Sequence, residues 1–219
     1  MAPIQDTLQL IQGYYTYLQL VLYTDSLLRQ HRIPLPQGEV IHKTGTKSSI
    51  TLNAPRIRSI MQQIHAHPTS KNVYGHLGYI SAVKWVLGSY LDLYSRSKTR
   101  RDNTRKLLGA QTEWYIASVR LCRNLLTHQH TGHMHLRAYD IQSQRDSLQK
   151  TEKRIVSCHF NYADIFGKEW KWEKAYGFSI SINTATLHTK RTLRDIVDEH
   201  TLTMLAESIA TICEHYKEK

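Results

Sequence analysis

A chain of 219 residues, 41% hydrophobic and 21% charged, is long enough to bury a sizeable core and too apolar to stay disordered. No run approaches the length of a membrane span, Met1-Ala2-Pro3-Ile4-Gln5-Asp6 lacks the basic-then-apolar layout of a leader, and Cys122, Cys158 and Cys213 are too scattered for a disulfide framework or a zinc ribbon. A cytoplasmic protein without membrane contact is therefore expected, and its net charge of +11 is concentrated in residues 96–145, where ten Lys/Arg face three Asp/Glu. Such a basic field gathers polyanions, nucleic acid foremost, with an acidic protein or anionic lipid as the plainer alternatives.

In chain order, Ile4, Leu8, Ile11, Tyr15, Leu18, Leu22 and Leu28 recur at helical intervals and predict a long amphipathic helix from Ile4 to about His31, ended by Pro34 and Pro36. Tyr14, Tyr15, Tyr17 and Tyr23 on it read as packing residues rather than platforms for bases. Residues 35–51 read as a loop rich in Gly, Ser and Thr. Asn53, followed by Pro55, is a natural start for a second helix running to about His67, with Ile57, Ile60, Met61 and Ile64 inward. A third helix is expected from Val73 to Tyr94, with Val83, Val86, Leu87, Tyr90, Leu91 and Tyr94 inward, its glycines Gly75, Gly78 and Gly88 implying either close helix contacts or a break near Gly78. Arg96, Lys98, Arg100, Arg101, Arg105 and Lys106 then form a basic connector, either a solvated charge run or a set of phosphate contacts.

The segment Thr112 to His128 has the clearest periodicity in the chain. At 100° per residue, with Glu113 at zero, Arg120 falls at about −20°, Asn124 at about +20°, Ala117 at about +40° and His128 at about +60°, while Arg123 lies at about −80°. Trp114, Tyr115, Val119, Leu121, Cys122, Leu125 and Leu126 fill the remaining arc. One helix thus carries a narrow polar strip in an otherwise apolar surface, with Arg123 and His128 near its two edges. The strip is either solvated, with Glu113 pairing Arg120 and Asn124 pairing His128, or it serves a ligand. Gly132 is placed to close the helix, and another is expected from Met134 to Lys150. Arg154 to Phe160 and Tyr176 to Leu187 alternate and suggest a small antiparallel pair, Trp170-Lys171-Trp172 is a strand or an exposed aromatic pair, and Leu193 to His215 returns to helix.

No phosphate-binding glycine loop, dinucleotide-binding pattern or metal-spaced cysteine pair is present, and the cluster His128, His130, His133, His135 has no nearby carboxylate or thiol to complete a metal set, so neither cofactor nor metal is expected. Arg123-Asn124-Leu125-Leu126-Thr127-His128 resembles the signature of the HEPN superfamily: an Arg, a polar residue and often Asn directly after it, and a His beyond a gap of a few residues. Arg58/His65 and Arg194/His200 also meet the loose spacing, but only Arg123 is followed by Asn. Where toxin members carry a Tyr two residues after the His, this chain has His130.

The resemblance implies a mainly α, HEPN-like helical bundle, here one domain over residues 1–219: a helical core at about 4–150, a small antiparallel β appendage at about 153–190 and a C-terminal helix at about 193–216. It further implies a metal-independent endoribonuclease of toxin, antiviral or RNA-processing systems, with RNA as substrate and a neutralising protein as a possible partner. In that reading His128 is the general base or acid, Arg123 holds the scissile phosphate, Asn124 orients either group, and Glu113 and Arg120 form an outer layer. RNA cleavage needs a proton removed from the 2′-hydroxyl and one delivered to the leaving 5′-oxygen, on opposite sides of phosphorus. One imidazole cannot easily do both, so a homodimer with facing polar strips is expected. The alternative is a non-catalytic HEPN-like module that binds nucleic acid, a nucleotide or a protein.

Overall fold

The computed structural model describes residues 4–38, 40–43, 49–67, 73–127, 155–161, 164–165, 177–183 and 197–215. In chain order the elements are α1 (Ile4–Arg29), β1 (Val40–Lys43), β2 (Ser49–Leu52), α2 (Ala54–Ala66), α3 (Val73–Arg96), α4 (Lys98–Leu108), a 3₁₀ turn (Gly109–Gln111), α5 (Thr112–Thr127), β3 (Ile155–Asn161), β4 (Gly177–Asn183) and α6 (Glu199–His215). The protein is mainly α with a small antiparallel β pair late in the chain, as the periodicities predict. Two compact units are formed, one from Met1–Leu18 and Ile80–Lys219, the other from Gln19–Tyr79. Among the described residues no helix is long and apolar enough to cross a membrane.

The core of the first unit is built on α3, α5 and α6. Val83, Val86, Leu87 and Tyr90 of α3, Tyr115, Val119, Cys122 and Leu126 of α5, and Leu205, Ile209 and Ile212 of α6 are at most 1% exposed. Each fully buried aliphatic side chain contributes about 1.5–3 kcal/mol, so these stripes hold the unit together. Two of its tyrosines have their hydroxyls satisfied in one manner. Ser208 Oγ donates to the Leu205 carbonyl at 2.7 Å and so accepts from Tyr115 at 2.7 Å, and Thr104 Oγ donates to the Arg100 carbonyl at 2.9 Å and so accepts from Tyr90 at 3.3 Å. A small hydroxyl residue on a neighbouring helix thus lets each phenol be buried without an orphaned O–H.

β3 and β4 pair in register from Ile155↔Asn183 to Asn161↔Gly177. Strand alternation buries Cys158, Phe160, Phe178 and Ile180 and leaves His159 and Ser179 outside, joined at 2.7 Å. The buried face continues the helical core: Phe160 stacks on Phe178 at 5.3 Å and meets Tyr115 of α5 at 5.5 Å, and Tyr115 meets Tyr90 edge-on at 6.3 Å. Gln111 accepts the outward N–H of His159 at 3.1 Å. The small β appendage expected from the sequence thus packs its buried face against α5.

The second unit contains the end of α1, β1–β2 and α2. Beyond Leu18 no residue of α1 is fully buried; Leu22, expected inward, is 38% exposed, because the covering core belongs to the first half of the helix. The helix closes in a Schellman turn: Arg32 N–H bonds to the Leu27 carbonyl at 2.9 Å and His31 N–H to Leu28 at 3.1 Å, with His31 at φ 56°, where glycine is usual. His31 is held there against His65 of α2, ring centroids 4.2 Å apart. Asn53 caps α2 as expected, accepting from Arg56 N–H at 3.0 Å.

Three expectations are corrected. Within the stretch read as loop, Val40–Lys43 and Ser49–Leu52 form an antiparallel pair, Val40↔Leu52 to Lys43↔Ser49; each strand is four residues long, too short for alternation to register against the Gly/Ser/Thr background. α3 runs unbroken past Gly78, since one helical glycine costs only about 1 kcal/mol. The basic connector is itself a helix, α4, capped by Ser97, whose hydroxyl accepts from Arg100 N–H at 3.2 Å, and with Arg105 and Lys106 at the end where cations suit the helix dipole. The expected closure at Gly132, the helix from Met134 to Lys150, Trp170-Lys171-Trp172 and the stretch 193–196 lie outside the described residues. α6 itself starts at Glu199, where Asp198 accepts the Thr201 N–H at 2.6 Å.

Candidate functional site

The candidate site stands on the last turns of α5, and the elements before it fix where that helix points. Gly109 ends α4 at φ 54° and ψ −130°, a backbone region open essentially to glycine alone, and the 3₁₀ turn carries the chain straight into α5. Thr112 Oγ then donates to the Gly109 carbonyl at 2.8 Å, closing the junction from inside. With Tyr115, Ile116, Val119, Leu121, Cys122, Leu125 and Leu126 buried, the helix cannot rotate without exposing its whole apolar arc. The polar strip is thereby turned outward: Glu113 and Arg120 are exposed, Ala117 and Asn124 half-buried.

Arg123 behaves differently from the rest of the strip. Its helical position falls between those of Thr112 and Ile116, both buried, so its side chain leaves the helix along the edge of the core. The residue is half-buried, but its Nε is sealed from solvent and has no hydrogen-bond partner among the described residues. A guanidinium cannot shed its charge, and an unmet buried N–H of a charged group costs upwards of about 1–3 kcal/mol. The sealed Nε is itself closed to any ligand; the terminal nitrogens of the guanidinium, which are not among the sealed atoms, are the donors open to an oxygen anion. One residue on, Asn124 carries an amide with two donors and an acceptor at the same height of the helix. Thr127 Oγ donates to the Arg123 carbonyl at 2.8 Å, so the hydroxyl four residues on engages the Arg123 backbone rather than its side chain.

Of the expected residues, α5 carries Arg123 and Asn124, consecutive in the chain and about 100° apart around the axis; His128 lies outside the described residues, as do His130, His133 and His135. Glu113 sits ten residues before Arg123, about 15 Å along the axis, beyond side-chain contact. No ion pair joins Glu113 to Arg120 among the described residues, so the solvated strip is not zipped by the pairing its spacing allows. No group of three or more metal-ligating side chains is gathered among the described residues.

The six cations of the basic stretch divide by role. Arg101 donates to the carbonyls of Tyr94 at 3.3 Å and Ser95 at 2.6 Å, so it caps the C-terminus of α3. Arg96 pairs loosely with Asp92 and Arg105 with Asp102, each at 3.7 Å between exposed groups, contacts worth well under 1 kcal/mol that a phosphate can displace. Lys98 and Lys106 are exposed and Arg100 is half-buried. The capping role of Arg101 is invisible to a charge count; the signal for it is Ser97, a capping residue amid the basic run, which marks a helix end and a helix start side by side.

The cysteines supply no nucleophile among the described residues. Cys122, Cys158 and Cys213 are all buried and form no disulfide, and desolvation pushes the thiols of Cys122 and Cys158 up to about 12. No protein-family model, curated protein or solved structure matches the chain.

Proposed function

We propose that the chain is a HEPN-like, metal-independent endoribonuclease of the cytoplasm, cleaving RNA by attack of the ribose 2′-hydroxyl on the adjacent phosphate. The observation that carries the reading is the half-buried Arg123, which sits at the edge of the core next to Asn124 with its terminal nitrogens not among the sealed atoms. A phosphodiester offers those terminal nitrogens an oxygen anion. The exposed cations Lys98, Lys106, Arg96 and Arg105 would bring a polyanion to the same unit. In the mechanism, Arg123 holds the scissile phosphate and the charge that grows on it, Asn124 orients the phosphate or an imidazole, and His128 moves the proton. Correctly placed acid and base groups are each worth about 10² to 10⁴ in rate, so one copy with one imidazole is a poor catalyst. Two copies with facing strips supply one His128 for each side of the phosphorus. A toxin or antiviral setting, with a neutralising protein, follows from the family resemblance alone.

A second reading, a binding module without catalysis, is favoured by the exposure of Glu113 and Arg120, which leaves Arg123 and Asn124 without an outer layer on α5. Incubation with end-labelled RNA and a chelator separates the two. Cleavage that leaves a 2′,3′-cyclic phosphate and disappears in His128→Ala, with fold and RNA affinity kept, is the expected result. Binding without cleavage selects the module, and full cleavage by His128→Ala overturns the mechanism.

A further inference from the structure

The outward stripe of α3 carries a residue that neither the core nor the candidate site uses. Trp85 is 53% exposed, and Ser81, Asp92 and Arg96 stand exposed on the same face with Ser89 half-buried between them. On a regular helix Ser81, Ser89, Asp92 and Arg96 all fall within about 40° of Trp85. The indole is not loose. One of its faces stacks on Tyr14 of α1, ring centroids 5.6 Å apart and planes 18° from parallel. Tyr14 is half-buried and covers one face of the indole; Leu10 and Tyr17, beside it on α1, are exposed like Trp85 itself.

We infer that Trp85 is a stacking platform for a base of single-stranded RNA, with the following phosphates led along the α3 stripe to Arg96 and Lys98. The inference rests on the RNA reading above and narrows its substrate to an unpaired strand. A flat ring already held on one side offers the other to a base without the entropy of ordering it, and every base has a face to give. Arg96 lies eleven residues beyond Trp85, about 16 Å along the axis, a span of a few nucleotides. Arg96 is tied only loosely to Asp92, at 3.7 Å, and Lys98 follows on the next helix. The serines and charges of the stripe argue against a second protein copy as occupant, because protein interfaces shed charge at their centre. In a duplex the bases are already stacked on each other, so a platform of this kind selects for unpaired ones.

The test is the affinity of the full chain, in a His128→Ala background that keeps the RNA intact, for a labelled oligouridine and for a duplex RNA of equal length. Trp85→Ala should weaken oligouridine binding about tenfold and leave duplex binding within about twofold, while Trp85→Phe restores most of the loss. Equal loss for both ligands, or no loss for oligouridine, overturns the inference, as does absence of oligouridine binding. Conversion of a dimer to a monomer by Trp85→Ala assigns the patch to self-association instead. Cleavage by the unmodified chain is scored separately: stacking without cleavage retains Trp85 and removes the nuclease, and cleavage with no effect of Trp85→Ala does the reverse.

Discussion

Arg123 sets a cost against a use within one side chain. Its sealed Nε has no acceptor among the described residues, and replacing a charged donor in that state by an apolar chain of similar length removes the unmet desolvation. We expect Arg123→Met to raise stability by about 1 kcal/mol in ligand-free protein, read as a higher thermal midpoint, and to abolish RNA cleavage. A lower midpoint would mean that the guanidinium has a structural partner, and the anion-site reading would lose its basis. The buried thiols make an opposite kind of statement. Cys122 and Cys158 are raised from 9.0 to about 12, so the neutral thiol is the form the fold holds. A group whose folded value is raised contributes its full stability below pH 9 and loses it as pH climbs toward 12, because the unfolded chain deprotonates first. Alkaline unfolding should steepen in that window, and native protein at pH 8 should resist alkylation until denaturant is added; rapid labelling of native protein would contradict the burial.

At the scale of elements, the β3–β4 hairpin and the start of α6 depend on single positions. A Cβ on Gly177 would run into the carbonyl oxygen of Phe160, the residue before its cross-strand partner Asn161, and that oxygen is backbone with nowhere to retreat. Gly177→Ala should therefore cost about 2 kcal/mol and loosen the Phe160–Phe178 stack, visible as lost near-ultraviolet dichroism; an unchanged midpoint would show that the strand end can slide. Asp198 caps α6, its carboxyl held below its ordinary range first by the Thr201 backbone N–H, then by the Thr201 side chain and the charge of His200. Asp198→Ala should cost about 1 kcal/mol at pH 7 and progressively less in acid, since a depressed carboxylate contributes its full stability above its ordinary value and loses it as pH falls through the folded one. A penalty that persisted in acid would assign the role to shape. Neither position is visible to periodicity. Long apolar repeats such as those of α3 and α5 were legible because burial imposes the 3.6-residue period on many residues at once, and Asn53 because a cap sits directly before its helix. The short β1–β2 pair offers too few residues for a period, and the helical state of α4 is hidden because lysine and arginine favour helices as readily as they solvate loops. The candidate site divides in the same way: the angles around α5 foretell an outward strip, but that the Nε of Arg123 is sealed depends on tertiary packing, which no spacing records.

For the whole molecule, the proposed chemistry makes a claim about stoichiometry that is stronger than a measured size. If each scissile phosphate needs an imidazole on both sides, a mixed dimer of one intact copy and one His128→Ala copy has no complete site. Random reassociation of equal amounts of the two then leaves only the intact homodimers active, about one quarter of the total, whereas independent sites would retain about one half. The comparison needs only co-refolding or prolonged equilibration of the two proteins, with total concentration and RNA held fixed. It is insensitive to the absolute rate, because both expectations are ratios to the unmixed protein. Arg123→Ala copies in place of His128→Ala extend the argument. If one Arg123 suffices to hold the phosphate while two imidazoles flank it, that mixture should keep more than a quarter of the activity, and if both guanidinium groups clamp it, the same quarter. One half retained with His128→Ala would show that a single chain carries out the whole reaction, and the two-copy site would have to be abandoned.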